Sequence, residues 1–407
     1  MKVIEEEIKI PKGYKAAAVS AGIKKENRLD MALIFSESPC VTAGTYTTNV
    51  VKAAPVLWDK EITASDTKAR AIVVNSGVAN ACTGKEGMLY CEDTAKTLSE
   101  KFNILPKEVL VASTGVIGAQ LPMDKIKSGI EKMVPDLKEE VSNFELASKA
   151  IMTTDTLPKK ACVTLEIGGK EVTITGMCKG SGMIHPNMCT MLSFIITDLA
   201  ISKNLLQKAL SKNVDDTYNM ISVDGDTSTN DTVLLLANGK AQNPEITEEN
   251  EDYKAFEEAL NYINETLAKK IASDGEGATA LFEMTVKNAA TKKDAKILSK
   301  SVITSNLTKA AIFGHDANWG RIICALGYSG VDFDPEVIDL YFESKAGKID
   351  ILKNGNATSY SEETATKILS EPYVKAVADM KNGKESATAW GCDLTYEYVK
   401  INADYRS

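Results

Sequence analysis

Histidine is nearly absent from this chain: among 407 residues there are only His185 and His315. A three-histidine zinc site is therefore impossible, and no H-E-x-x-H is present. Any Ser-His-Asp or Cys-His chemistry would have to use one of those two. His185 precedes Pro186, an extended or turn dipeptide, and His315 sits beside Asp316, where neighbouring side chains usually diverge. Both read as structural, which directs attention to a nucleophile that needs no histidine. Long apolar runs are missing too. The most apolar stretch, residues 191–201, is broken by Asp198 and falls short of the roughly 18 residues a membrane helix needs. The N-terminus, MKVIEEEIKI, places three glutamates where a secretory signal would be apolar, so no signal peptide is expected. None of the eight cysteines forms a C-x-x-C pair; they read as reduced cytoplasmic thiols packed as small hydrophobes. An excess of basic residues is also lacking. With 47 Lys and Arg against 56 Asp and Glu, the net charge is −9, which argues against general nucleic-acid binding.

What is present is ordinary globular material, with 44% hydrophobic and 25% charged residues. The length predicts two or three domains. No internal repeat, low-complexity tract or long linker separates them. Residues 31–35 and 71–74 read as buried strands bounded by turns. Residues 93–101, 125–133 and 143–152 read as helices. The runs 162–167 and 171–175 flank Gly168-Gly169, a hairpin signal. From Glu248 to Ile271 the apolar positions Phe256, Leu260, Ile263, Leu267 and Ile271 recur at spacings of 4, 3, 4 and 4, one face of a long helix. Thr247 is the expected N-cap, and Gly275, after Ser273-Asp274, the expected left-handed stop. Strands alternating irregularly with helices predict an α+β or layered α/β body, mixed sheets with flanking helices.

Several segments carry candidate chemistry. Thr114-Gly115-Val116-Ile117-Gly118 and Lys179-Gly180-Ser181-Gly182 complete neither phosphate-loop pattern, but their backbone N–H groups could serve an oxyanion. Residues 224–231, DGDTSTND, are rich in oxygen. Thr229 and Leu235 occupy the positions where a calcium loop needs Gly and Glu, so the reading is a hydrogen-bonded turn before a strand at 232–236. The densest segment is residues 179–194, KGSGMIHPNMCTMLSF. There a polar, glycine-rich loop runs abruptly into an apolar element at Thr190. Thr190 could be a cap or a packing residue, and Cys189 a thiol with no base beside it.

Taken as a whole, residues 179–194 resemble the self-cleavage site of the ornithine acetyltransferases, the bifunctional glutamate N-acetyltransferases of arginine biosynthesis. The likeness runs along essentially the whole chain, through NSGVANACTG (75–84), STGVIG (113–118), MTTDT (152–156), residues 224–231, DGEGAT (274–279), DANWGR (316–321) and the tail INADYRS (401–407). Cys189 is a departure, since alanine usually precedes the threonine in that family.

The resemblance implies a fold like that of the N-terminal-nucleophile enzymes. It also implies cleavage between Cys189 and Thr190 into an α chain, 1–189, and a β chain, 190–407, which together form one catalytic body. Thr190 would be the nucleophile, with its own freed α-amine as base. Thr114 and Gly115 would form the oxyanion hole, and Thr153, Lys179, Thr190, Glu276, Asn402 and Ser407 would bind substrate. Lys179 suits a carboxylate and Glu276 an amine. The expected reaction moves acetyl from N2-acetylornithine to glutamate through acetyl-Thr190, with no metal and no cofactor. Acetyl-CoA is left open as a second donor. The resemblance further implies a cytoplasmic enzyme assembled as two α and two β chains, with small-molecule substrates and neither nucleic acid nor membrane as partner. Two other readings share some of these residues: a self-cleaving aminopeptidase or amidase that hands its acyl group to water, and an uncleaved binder of amino acids.

Overall fold

A computed structural model describes residues 1–5, 8–25, 27–185 and 191–404. The chain divides into two units. The first comprises residues 1–180, 187–218 and 227–267; the second comprises residues 181–186, 219–226 and 268–407.

In the first unit β1 (Lys2–Val3) and β2 (Tyr14–Val19) lead into the long strand β3 (Met31–Tyr46). Then come α1 (Ala54–Ala64), β4 (Ala69–Val78), α2 (Glu86–Phe102), β5 (Val109–Val116), α3 (Met123–Met133) and α4 (Val141–Ala150). β6 (Lys159–Ile167) and β7 (Lys170–Lys179) form the hairpin expected at Gly168-Gly169, both with positive φ. β8 (Leu192–Thr197) and α5 (Lys203–Asp216) follow. The chain passes through β9 (Ile221–Ser222), which belongs to the second unit, and returns with β10 (Thr232–Ala237). The resulting mixed sheet runs β1-β6-β7-β8-β10-β3-β4-β5, with β2 also on β3. β8 and β10 are entirely buried and apolar-rich, the pattern of central strands covered on both faces.

The strand expected at 31–35 is much longer because it serves two sets of partners. Its first part pairs β2 and β4, and its last part, from Val41 to Tyr46, pairs β10. Between them, Phe35 to Cys40, the register with β4 breaks, and Pro39, which has no N–H to give a ladder, lies in that break. Helices α1 and α2 pack against β5, α4 against β2 and α5 against β3. The core gathers Leu33, Val73, Val111, Leu98, Ile130 and Phe144, all nearly or fully buried. Each such side chain contributes roughly 1.5–3 kcal/mol by leaving water.

The long helix α6 is Glu251–Ser273. Its predicted stripe of Phe256, Leu260, Ile263, Leu267 and Ile271 is fully buried. Its start differs from expectation. The cap is Asn250, whose Oδ1 accepts the Tyr253 N–H at 3.0 Å, and Thr247 lies in the preceding loop. A side chain three residues nearer the apolar stripe won the capping role. Gly275 is not in the left-handed region either. It is glycine because a Cβ there would meet Cys392 Sγ at 2.8 Å.

In the second unit β11 (Leu281–Ala289), α7 (Lys292–Ile303), α8 (Asn306–Phe313), α9 (Trp319–Gly327), β12 (Asp339–Ser344), β13 (Gly347–Lys353), β14 (Asn356–Ala357), α10 (Glu362–Leu369), β15 (Tyr373–Asp379), β16 (Glu385–Cys392) and α11 (Tyr396–Ala403) succeed one another. The sheet order is β14-β13-β12-β15-β11-β16-β9, with α7 packed on β11 and β16. The two units thus bear out the α+β expectation: two mixed sheets, each with flanking helices.

Candidate active site

The expected oxyanion residues stand at the end of β5, an edge strand of the first sheet. Thr114 pairs in parallel with Ser76 and Gly115 with Gly77; beyond Gly77 the register shifts. Gly115 has φ of 131°, and a Cβ on it would strike the Gly77 carbonyl and the Val78 nitrogen. Glycine is needed here on both counts, and the outcome is a half-buried hydroxyl and a Gly backbone at a sharply turned strand end.

Thr153 and Lys179 meet around a residue that carried no role in the sequence reading, Asp155. Its Oδ1 accepts the Lys159 ammonium at 2.7 Å and the Gly180 N–H at 2.6 Å, and its Oδ2 accepts the Thr153 N–H at 3.0 Å. Burial pushes the Asp155 carboxyl up, but the charges of Lys179 and Lys159 and the bonds from Lys159 and Gly180 outweigh it and hold it at about 2. The Thr153 carbonyl accepts from the Arg28 guanidinium at 3.3 Å, so both backbone groups of Thr153 are tied. Beside them the Lys24 ammonium donates to the Met152 and Leu29 carbonyls at 2.6 and 3.0 Å. Burial first, then the neighbouring Arg28 charge, lowers Lys24 to about 8. Lys24, Lys159 and Lys179 therefore act on the Asp155 carboxylate, with Arg28 and Asp30 beside Lys24, a setting with more positive than negative charge that suits a carboxylate ligand. The only hint of Asp155 in the sequence is its place in a Thr-rich turn four residues before a lysine.

In the second unit Glu276 and Asn402, 126 residues apart, come together: Asn402 Nδ2 donates to Glu276 Oε2 at 2.8 Å. Glu276 is buried, and its N–H donates to the Ser181 carbonyl at 2.9 Å. A Cβ on Gly182 would collide with the Glu276 carboxylate, which explains the glycine in that loop. The loop carrying Glu276 is pinned further on. Asp393 accepts the Thr279 and Ala280 N–H groups at 2.9 and 3.2 Å, and the Thr395 hydroxyl donates to the Gly277 carbonyl at 2.7 Å. α11, not foreseen as a helix, delivers Asn402; Thr395 caps it by accepting the Tyr398 N–H. Asp224 closes the turn expected at 224–231. Its carboxylate accepts the N–H groups of Met183 and Ile184 at 2.6 and 2.8 Å, and burial pushes it above the usual carboxylate range.

Cys189, Thr190 and Ser407 lie outside the described residues. The histidines take structural surroundings. His315 is an exposed residue of positive φ after α8, with Nδ1 3.3 Å from Ser370 Oγ. His185 Nδ1 is 3.2 Å from Ser222 Oγ, and burial, then the Lys300 charge, lowers it to about 4. Among the described residues no cluster of three His, Cys, Asp or Glu could hold a metal ion, no helix is long and apolar enough to cross a membrane, and no two cysteines are joined in a disulfide.

The ArgJ family profile matches residues 15–407. The arginine biosynthesis bifunctional protein ArgJ of Thermotoga neapolitana is 53% identical over 98% of this chain and 100% of its own length. That of Caldanaerobacter subterraneus subsp. tengcongensis is 50% identical over the full length of both. A crystal structure of the arginine biosynthesis bifunctional protein ArgJ from Bacillus halodurans is 48% identical, with a TM-score of 0.51; it covers 53% of this chain and 100% of the solved one. With the glycine-bearing strand end of β5, the Asp155–Lys179 turn and the Glu276–Asn402 pair in place within that match, the chain belongs to the ArgJ family, the bifunctional enzymes of arginine biosynthesis.

Proposed function

We propose that this enzyme cleaves itself between Cys189 and Thr190 and then carries acetyl from N2-acetylornithine to glutamate on Thr190. The observation that carries the reading is the match to bifunctional arginine-biosynthesis proteins over essentially the whole chain at about half identity. A self-cleaving amidase is not favoured, because the full-length relatives are biosynthetic enzymes.

In this mechanism the Thr190 hydroxyl attacks the Cys189 carbonyl, the peptide C–N bond breaks as an ester forms, and water releases the α chain, 1–189. The freed α-amine of Thr190, with an ordinary pKa of roughly 8, then serves as base for its own hydroxyl. That hydroxyl attacks the acetyl carbon of acetylornithine. The developing oxyanion takes donors from Thr114 and Gly115, and ornithine leaves with the proton. Glutamate's amine attacks acetyl-Thr190, giving N-acetylglutamate and restoring the hydroxyl. One amide replaces another of similar energy, so the exchange draws on no external energy source and no cofactor. Lys179, whose charge acts on Asp155, takes a substrate carboxylate. Glu276, braced by Asn402, takes an amine, and Thr153 and Ser407 are the further substrate-binding residues that the resemblance implies. Acetyl-CoA is the further donor to test. A cytoplasmic α2β2 assembly acting on small molecules alone follows from the resemblance, and the free thiols agree with a reducing compartment.

Intact-mass analysis and acetyl-transfer assays test the reading. Purified protein should give two chains, of about 20 and about 24 kDa in proportion to 189 and 218 residues of a 43.9 kDa whole. Thr190→Ala should give one chain and no transfer. Active, uncleaved Thr190→Ala protein would sink the mechanism. Acetyl-enzyme that hydrolyses faster than glutamate intercepts it would instead favour the amidase.

A further inference from the structure

The oxyanion turn at the end of β5 is an edge, and edges drift unless something ties them down. Two asparagines tie this one. Asn230, 7% exposed, donates from Nδ2 to the Ala79 carbonyl at 2.6 Å and to the Ser113 carbonyl at 2.8 Å. One amide group thus bridges the segment after β4 and the last turn of β5, at the point where the parallel register between them shifts. The Asn230 Oδ1 is oriented by the Thr229 hydroxyl at 2.7 Å, so the amide cannot flip without losing three bonds. The second asparagine, Asn75, works from below. It accepts the Ser113 hydroxyl at 2.6 Å and donates to the Val78 carbonyl at 2.9 Å. Asn75, Ser113, Thr229 and Asn230 are all buried, and they belong to the first unit.

The Ser113 carbonyl shares its peptide plane with the Thr114 N–H. A donor fixed on that carbonyl sets the plane, and with it the φ from which Thr114 projects its hydroxyl and the chain turns into Gly115. Hydrogen bonding at the carbonyl also polarises the N–H of the same peptide. The bonds of this network end on the peptides beside Thr114, so its effect passes through Thr114 and Gly115.

We propose that Asn230 is a positioning residue for acetyl transfer, clipping the Ser113–Thr114 peptide to the Ala79 segment so that the Thr114–Gly115 donors face the developing oxyanion. The inference rests on the reading of Thr114 and Gly115 as the oxyanion hole. It distinguishes Asn230 from a mere turn residue by the step it affects. A donor aimed at the transition state changes kcat and leaves KM nearly unchanged, and a residue acting through that donor must share its signature.

The test compares Thr114→Ala, Asn230→Asp and the double variant, with kcat and KM for acetylornithine taken per cleaved chain. Asn230→Asp keeps the shape but turns a double donor into an acceptor facing two buried carbonyls. The expected result is a fall in kcat of about 10- to 100-fold, with KM within about twofold of the parent. The double variant should be no slower than the slower single, because two residues acting as a unit are not additive. An unchanged kcat, a rise in KM alone, fully additive losses, or a folded Asn230→Asp protein that no longer cleaves would each overturn the inference. If Asn230→Asp is insoluble, Thr229→Val decides instead: it removes the hydroxyl that orients the Asn230 amide, keeps the amide itself, and must show the same kcat-only loss, smaller in size; an unchanged kcat would overturn the inference. An unaltered kcat in Thr114→Ala would reject the oxyanion reading itself. A slow Thr114→Ala beside a fully active Asn230→Asp would reject only the role of Asn230.

Discussion

Asp155 shows how a single buried side chain can tie several chain segments together. Its carboxyl is held at about 2 against an ordinary 3.8. A carboxylate lowered on folding stabilises the fold above its ordinary pKa and loses that contribution as pH falls through the folded value. Asp155 therefore contributes about 2 kcal/mol above pH ~4, lost between pH ~4 and ~2. Asp155→Asn should cost more at neutral pH, roughly 3–5 kcal/mol, because it removes the negative charge opposite the buried Lys159 ammonium. Urea unfolding at several pH values should show the gap from the parent narrowing in acid; a pH-independent gap would count against the ion pair. His185 works in the opposite sense. It is neutral in the fold with its pKa lowered to about 4, so unfolded chains take up the proton first and stability falls as pH drops from about 6.5 towards 4. His185→Gln should flatten that part of the profile. His315, exposed and with its ring against Ser370, should be dispensable: His315→Asn is expected to keep most of the transfer activity, and a loss beyond about tenfold would mean that the base is not the Thr190 amine. Thr153, Lys179 and Glu276 were singled out in the sequence through motif resemblance. Asp155, Asn230 and Asp393 were not, because a buried polar residue that bonds backbone groups from distant segments has no local periodicity to announce it.

At the scale of elements, helices with a continuous apolar face were readable and elements with divided loyalties were not. The stripe of α6 appears in the sequence because one face packs along its whole length. β3 reads as five residues because its later half is polar and proline-broken, and only the arrival of β10 completes it as a strand. α11 escaped notice because it has no buried face; its residues are partly or fully exposed. What it has instead is a Thr395 cap, the Tyr396 ring edge-on to Phe313 with centroids 5.7 Å apart, and the contact from Asn402 to Glu276. That makes the helix testable. Removing residues 403–407 takes away the last helical residue and the tail that holds Ser407, while cleavage at Thr190 needs no bound substrate. The truncated enzyme should still yield two chains and lose on the order of 100-fold in kcat/KM for acetylornithine, the scale expected when a substrate is misplaced by about 1 Å. Cleaved protein with full activity would remove the tail from the site.

For the molecule as a whole, the strand order constrains how the two halves of a cleaved chain can exist. β8 and β10 come from residues beyond 190, yet they lie between β7 and β3, both from residues before 189. A fragment of residues 1–189 alone lacks two fully buried central strands and exposes the edges of β7 and β3. It should aggregate or show no cooperative melt, and co-expression with residues 190–407 should restore a soluble pair. A fragment 1–189 that folds by itself would contradict this sheet order. The sequence by itself determined the class of body, the scarcity of histidine that excludes the commonest catalytic groupings, and the family with its candidate residues. Composition, periodicity and contiguous motifs are local properties of a chain. Only the tertiary structure decided that Gly115 abuts Gly77, that Asn402 braces Glu276 and that Asn230 ties β5 to the segment after β4. These are contacts between residues 38 to 151 positions apart, set by which strands pair and which side chains find a buried partner, and neighbouring residues carry no record of them.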